Sequence, residues 1–364
     1  RAAEDAPVCL ALSALLARAL ALGGCTARAA CVLEDMLPKA KRCHDPAPLV
    51  QAYYGLCIVR QMQGRFSDMD SISRDCVEAA SGSGVRALMG MAFSARGNAL
   101  MALCEWREAI EWHSKAADMR KGLCDHRVIA TTLGNIGRAH FCLGEWHDAE
   151  ICFDSSLRFA RRSGCTYSLG ISLCNLGTLR RRQGLLSEAA SSFSDAEEAA
   201  GLAGDVWGLA TTLSDFGELE HMRGNEHAAL DLYARSEELM EKVGSVDDLP
   251  ELRRRRAECL LELGELEDAT RLADSAAEMA GEMKHRLEIA NCLRVQGRLL
   301  ALRGETEEAI LRLRQSEALL RELGAKYELA QTLVALGRVL PEPGEVGNSK
   351  EALEEALALF AELG

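Results

Sequence analysis

Apolar residues recur along this chain at helical spacing, in runs that a glycine or another small residue interrupts. Between Ala130 and Gly164, the residues Leu133, Ile136, Gly137 and His140 follow at short steps before Gly144 breaks the pattern. A second run sets Ala149, Phe153 and Ser156 on one face and stops at Gly164. Such steps align side chains along one stripe of an α-helix, so the segment predicts two amphipathic helices joined by a tight turn. Two helices of about 13 to 15 residues each, with their turn, fill this stretch.

The interruption is periodic. Gly24, Gly64, Gly144, Gly184, Gly224, Gly264 and Gly304 keep a 40-residue register, and Cys104 fills the one gap. Five residues after each turn comes Ala29, Met69, Ala109, Ala149, Ala189, Ala229, Ala269 or Ala309. A fixed period of this length predicts an array of one repeated supersecondary unit. The expected fold is therefore all-α: an α-solenoid of antiparallel helix pairs. Residues 1–364 are read as a single superhelix of about nine units, with turns near 24, 64, 104, 144, 184, 224, 264, 304 and 347. The ninth unit has a longer loop, PEPGEVGNS, so that Gly347 and Ala352 take the turn and alanine roles.

Seven residues before each turn stand Ala17, Cys57, Gly97, Gly137, Gly177, Gly217, Ala257 and Gly297, and Gly337 stands ten before the ninth turn because its loop is three residues longer. This column is expected to admit the alanine column of the second helix at close range, with Phe153, Phe193 and Tyr233 plugging between units. Gly84, Gly164, Gly204, Gly244 and Gly324 suit the left-handed position after a helix C-terminus.

Leu133-x-x-Ile136-Gly137-x-x-His140, followed by Ala149, Phe153 and Ser156, resembles the tetratricopeptide repeat. Leu176-Gly177, Leu336-Gly337 and the turn runs GEWHDA, GLLSEA, GELEDA and GETEEA repeat the likeness. The first two units lack the Leu-Gly pair, and Arg256-Ala257 replaces it in the seventh. The 40-residue form is similar to repeats in kinesin light chains, spindle-orientation adaptors and the sensor regions of bacterial regulators. The resemblance implies a right-handed superhelix whose inner wall comes from the first helix of each unit. It also implies that Asn98, Asn135 and Asn175 occupy inner-wall positions that grip a peptide backbone. The carboxylate clamp of chaperone-binding members is not expected, because Ser94 and Ile171 stand where that clamp needs cations.

Charge sharpens this expectation. The net charge is -13, which argues against a nucleic-acid or anionic-membrane binder. Yet nine fourteen-residue windows before the turns hold 16 arginines and 7 acidic residues, a net of +9, leaving -22 for the rest. A basic inner stripe suits an acidic partner, and arginine's planar fork suits carboxylates. The candidate groove residues are Tyr54, Asn98, Asn135, Arg138, Asn175, Arg181, Arg182, Arg254, Arg294 and Arg298, with Asp215, Glu218 and Glu220 interrupting the stripe. Reversing Arg181, Arg182, Arg294 and Arg298 to glutamate is expected to abolish binding without unfolding the array.

No phosphate loop, dinucleotide fingerprint, HExxH or nucleophile elbow occurs, so no enzyme activity, cofactor or metal is expected. The 14 cysteines form no CxxC pair and read as small buried hydrophobes in a reducing cytoplasm. Val8 to Leu22 keeps the repeat register and is read as a repeat helix, and no run is long enough for a membrane span. The expected function is a non-enzymatic interaction scaffold that binds a peptide or helical segment of a partner protein in its concave groove. The alternative is a ligand- or partner-sensing regulatory region of a larger signalling protein. The start at Arg1 and the lack of a polar capping helix at Gly364 favour that alternative, and self-association through uncapped ends is the third expectation.

Overall fold

The computed structural model describes residues 7–121, 125–340 and 349–363, all as helices and their connections. The first three helix pairs are α1 (Pro7–Leu22) with α2 (Thr26–Ala40), α3 (Ala47–Met62) with α4 (Phe66–Ser81), and α5 (Arg86–Ala102) with α6 (Trp106–Arg120). Next come α7 (His126–Cys142) with α8 (Trp146–Ser163), α9 (Thr166–Arg182) with α10 (Leu186–Ala203), and α11 (Val206–Met222) with α12 (Glu226–Val243). The last pairs are α13 (Leu249–Glu262) with α14 (Leu266–Met283), α15 (Arg286–Leu302) with α16 (Thr306–Leu323), and α17 (Lys326–Val339) with α18 (Ser349–Leu363). The expected ninth turn at Gly347, like Arg1 and Gly364, lies outside the described residues.

The helices exceed the expected length: α7 has 17 residues and α8 has 18. The connections are correspondingly tight, and the turn glycines make them so. Gly144 and Gly184 have φ of 75° and 77°, and Cys104 adopts the same left-handed region at φ 63°. After the second helices, Gly164, Gly204, Gly244 and Gly324 take the left-handed cap, as their column predicted.

One contact differs from expectation. A Cβ at Gly137 would lie 2.6 Å from the Phe153 ring, at Gly177 2.7 Å from Phe193, and at Gly217 2.5 Å from Tyr233. The glycine column therefore receives the aromatic column of its own unit, rather than the alanine column. Where Ala257 replaces the glycine, the facing column is also small: Ala273 shares its buried cluster. Serines add a polar seam. Ser156, Ser236 and Ser316 donate to the carbonyls of Ala130, Ala210 and Ala290, each from second helix to first in the same unit.

Successive odd-numbered helices, such as α3 and α5 or α7 and α9, pack on each other, with no comparable contact between successive even-numbered ones. The array therefore curves with its first helices inside. It also returns upon itself. Thr26 Oγ1 donates to the Gly244 carbonyl at 3.3 Å, a separation of 218 residues, or five to six units. The Val246 amide donates to the Met62 carbonyl at 2.8 Å, and the Trp146 ring packs at a tilt against Tyr327. Adjacent turns of the coil touch at these points.

Candidate functional site: the concave wall

Every candidate groove residue falls on an odd-numbered helix, because each was drawn from the run before a turn. Tyr54 lies on α3, Asn98 on α5, Asn135 and Arg138 on α7, and Asn175, Arg181 and Arg182 on α9. Arg254 lies on α13, and Arg294 and Arg298 on α15. They divide into two groups with different surroundings.

The asparagine group is half-buried and polar. Asn135 Nδ2 donates to Asn98 Oδ1 at 3.0 Å, joining adjacent first helices. One unit further on, Asn175 Nδ2 is buried with no hydrogen-bond partner. A Cβ at Gly134 would lie 3.4 Å from it. Leaving a buried amide donor unpaired costs about 1–3 kcal/mol, so this amide is a standing acceptor-seeker on the wall. Arg138 is exposed about one turn along α7 from Asn135, and Tyr54 edges the buried cluster that contains Val50 and Tyr53. The charge of Arg138 acts on Asp247 and Asp248, three units away across the hollow. Burial there pushes Asp247 up to about 6, and pushes Asp248 well above the usual carboxylate range with the Asp247 charge adding to it.

The arginine group forms an internal ion-pair network. Arg181 is only 1% exposed and lies between Asp215 at 3.8 Å and Glu218 at 3.4 Å. Arg255 joins the same two carboxylates at 3.0 and 3.4 Å, and reaches Glu251 at 2.7 Å. Arg254 bonds Glu258 at 2.7 Å and Glu288 at 2.5 Å. Arg294 lies 3.5 Å from Glu258, and Arg298 lies 2.6 Å from Glu262. Arg182 pairs with Glu328 at 3.2 Å. Burial alone would lower Arg254, yet Glu288, Glu258 and Glu251 hold it well above its ordinary value. Burial would likewise raise Glu218, but Arg255 and Arg181 keep it well below the usual carboxylate range.

The basic stripe read from the sequence is thus neutralised inside the wall. Its partners Glu251, Glu258, Glu288 and Glu328 were not singled out, although the register could have found them. Arg255 and Asp215 are 40 residues apart, one unit length, and Arg294 and Glu258 are 36 apart. Charges at such offsets share a face on neighbouring first helices.

With this geometry in hand, the comparisons are informative. The tetratricopeptide-repeat family model matches residues 88–162 and 128–200. No curated protein matches the chain in sequence. Among solved structures, NprR in complex with its cognate peptide NprX is similar at TM-score 0.65 and 15% identity, covering 97% of this chain and 99% of that one. The apo form of the quorum sensor NprR from B. thuringiensis is similar at TM-score 0.56 and 16% identity, with 96% of each chain covered. A Rap protein complexed with Competence and Sporulation Factor is similar at TM-score 0.64 and 11% identity, covering 98% and 99%. No described helix is long and apolar enough to cross a membrane. The family match places tetratricopeptide repeats over residues 88–200, and consecutive helix pairs of the same all-α solenoid continue on both sides of that segment.

Proposed function

We propose that this chain is a non-enzymatic scaffold that holds an extended peptide or helical segment of a partner protein along its concave wall. The observation that carries the proposal is the asparagine row. Asn98 and Asn135 are held together, and Asn175, one unit further along the register, carries a buried amide donor with no partner. An amide side chain offers both a donor and an acceptor, so a row of them grips a peptide backbone without reading its side chains. Arg138, exposed at the same level, supplies the point at which an acidic group of the partner docks. A preformed wall spends little on ordering itself, which favours binding of an extended ligand. One of the similar structures holds a cognate peptide, NprR with NprX, and another is a Rap protein complexed with Competence and Sporulation Factor. A reducing cytoplasm is the setting in which the unpaired thiols of Cys57, Cys76, Cys174 and Cys259 persist.

The test is a displayed library of extended peptides, selected on the whole chain and re-measured on the Asn98→Ala, Asn135→Ala, Asn175→Ala variant. At about 1 kcal/mol per hydrogen bond, affinity falls about a hundredfold. Equal affinity for both proteins sinks the proposal.

The contacts between turns of the coil favour a second reading, in which the chain is the sensing region of a larger regulator. A ligand that binds across the hollow would shift the balance between closed and open coils.

A further inference from the structure

The repeat provides its own reference for each position, and one place departs from it at two neighbouring columns. Position 226 opens a second helix, where the corresponding residues are Phe66, Trp106, Trp146, Leu186 and Leu266, with the uncharged Thr26 and Thr306 at the remaining register positions; here it is the carboxylate Glu226. Position 259 belongs to a column of Val59, Ala99, Ala139, Leu179, Leu219 and Leu299; here it is Cys259. The turn between α11 and α12 brings His221 beside them. His221 Nδ1 lies 2.6 Å from Glu226 Oε2 and 3.5 Å from Cys259 Sγ, and the three ligand atoms are all within 4.8 Å of one another. Cys259 is fully buried, while the side chains of His221 and Glu226 are 19% and 13% exposed.

We propose that His221, Glu226 and Cys259 form a binding site for a zinc-class transition-metal ion, with the fourth position open to water. The donor set is one imidazole, one carboxylate and one thiolate, which selects borderline-soft ions over magnesium or calcium. Metal–sulfur and metal–nitrogen bonds of about 2.3 and 2.0–2.1 Å at a tetrahedral angle require an S···N edge of about 3.6 Å. The observed 3.5 Å already meets that requirement. The short His221–Glu226 contact opens when the proton between them leaves. The Cys259 thiol gives up its proton to solvent, so that thiolate and carboxylate together balance a divalent ion and the filled site is neutral. Uncompensated charge would not be tolerated at this depth. Glu218 and Glu258 already act on the His221 ring, and their field also favours a cation.

The site joins the α11–α12 turn of the sixth unit to α13 of the seventh, so a bound ion fixes the angle between two units. A second cluster marks the contrast. His140 and Glu145 make the same bond at 2.7 Å, but their third member is the exposed Asp148. Acidic residues at 145 and 148 recur in other units, as Glu105, Glu265, Asp68 and Glu188, and no thiol is present. That cluster is ordinary turn chemistry.

Cobalt(II) titration of the whole, metal-stripped chain under a phosphine reductant tests the assignment. One equivalent is expected to raise a thiolate-to-cobalt charge-transfer band that zinc bleaches. Cys259→Ala, which installs the residue found at positions 99 and 139, abolishes the band. His221→Ala and Glu226→Gln weaken binding about tenfold or more. Cys292→Ser and Glu145→Gln leave it unchanged. Zinc raises the melting temperature of the wild-type chain and leaves that of Cys259→Ala unmoved. Absence of the band at one equivalent, or its survival in Cys259→Ala, overturns the site.

Discussion

Arg181, Arg254 and Arg294 show how one residue type can read as a binding surface in sequence and as internal mortar in structure. Removing one member of a buried pair strands the other charge, which costs about 3–5 kcal/mol. Arg254→Ala, which strands Glu288 and leaves Glu258 only Arg294 at 3.5 Å, is therefore expected to lose that much stability in chemical denaturation. Arg298→Ala is expected to lose less than about 1 kcal/mol, because that side chain is 27% exposed and its partner Glu262 is 46% exposed. Equal losses would contradict the division of the wall into buried and open charges. The same burial revises the expectation that glutamate at Arg181, Arg182, Arg294 and Arg298 would leave the array folded. Glutamate at 181 would face Asp215 and Glu218 with only Arg255 left to balance them. The arginine stripe was legible because it follows the repeat, but its neutralisation was not. Glu288 and Glu328 sit in the first turns of α15 and α17, just outside the fourteen-residue windows used to weigh the charge. These helices begin at Arg286 and Lys326, ahead of windows that open at 290 and 330, so the acidic first turns were counted with the body.

At the scale of the helix pair, small residues fix the geometry, and this level was the most legible. Left-handed positions after the second helices carry Gly164, Gly204, Gly244 and Gly324, with Lys284 the exception at φ 58°. A side chain in that conformation costs about 1–2 kcal/mol, while glycine's extra freedom in the unfolded chain takes back roughly 0.5–1 kcal/mol. Lys284 is exposed, so no packing is lost on its replacement. Lys284→Gly is thus expected to stabilise the chain by about 0.5–1 kcal/mol, read as a higher urea midpoint at unchanged slope. A lower midpoint would contradict the cap assignment. The period announced the turns and caps because backbone sign is a local demand that glycine answers almost alone. What lay opposite Gly137 and Gly177 was not local. Choosing between an alanine and a ring required the helix crossing, which only the folded pair supplies.

For the whole molecule, the decisive feature is the return of the coil upon itself, and no period in the sequence carried it. The pitch depends on small rotations between units, which add up until the early turns meet units six to nine. Arg182 is central to that meeting. Its guanidinium lies 3.9 Å from the Tyr327 ring centre and 3.2 Å from Glu328, while Tyr327 packs on Trp146 and Phe360. A desolvated cation–π contact contributes about 2 kcal/mol, and the buried pair with Glu328 adds the cost of a stranded charge if it is broken. Arg182→Gln removes both from a junction between units five and nine without touching the seam inside either. The expected result is a larger radius of gyration in small-angle X-ray scattering at unchanged helical circular dichroism. Arg180→Gln is the matched control, since Arg180 bonds Ser192 at 2.8 Å within its own unit. If both variants keep the wild-type radius, the closure rests on the other contacts between coil turns, such as Thr26 with Gly244 and Val246 with Met62. If Arg182→Gln expands and a selected peptide restores the compact radius, then ligand and closure draw on the same equilibrium. By linkage, the open variant must then bind that peptide more weakly in proportion to the population it has lost.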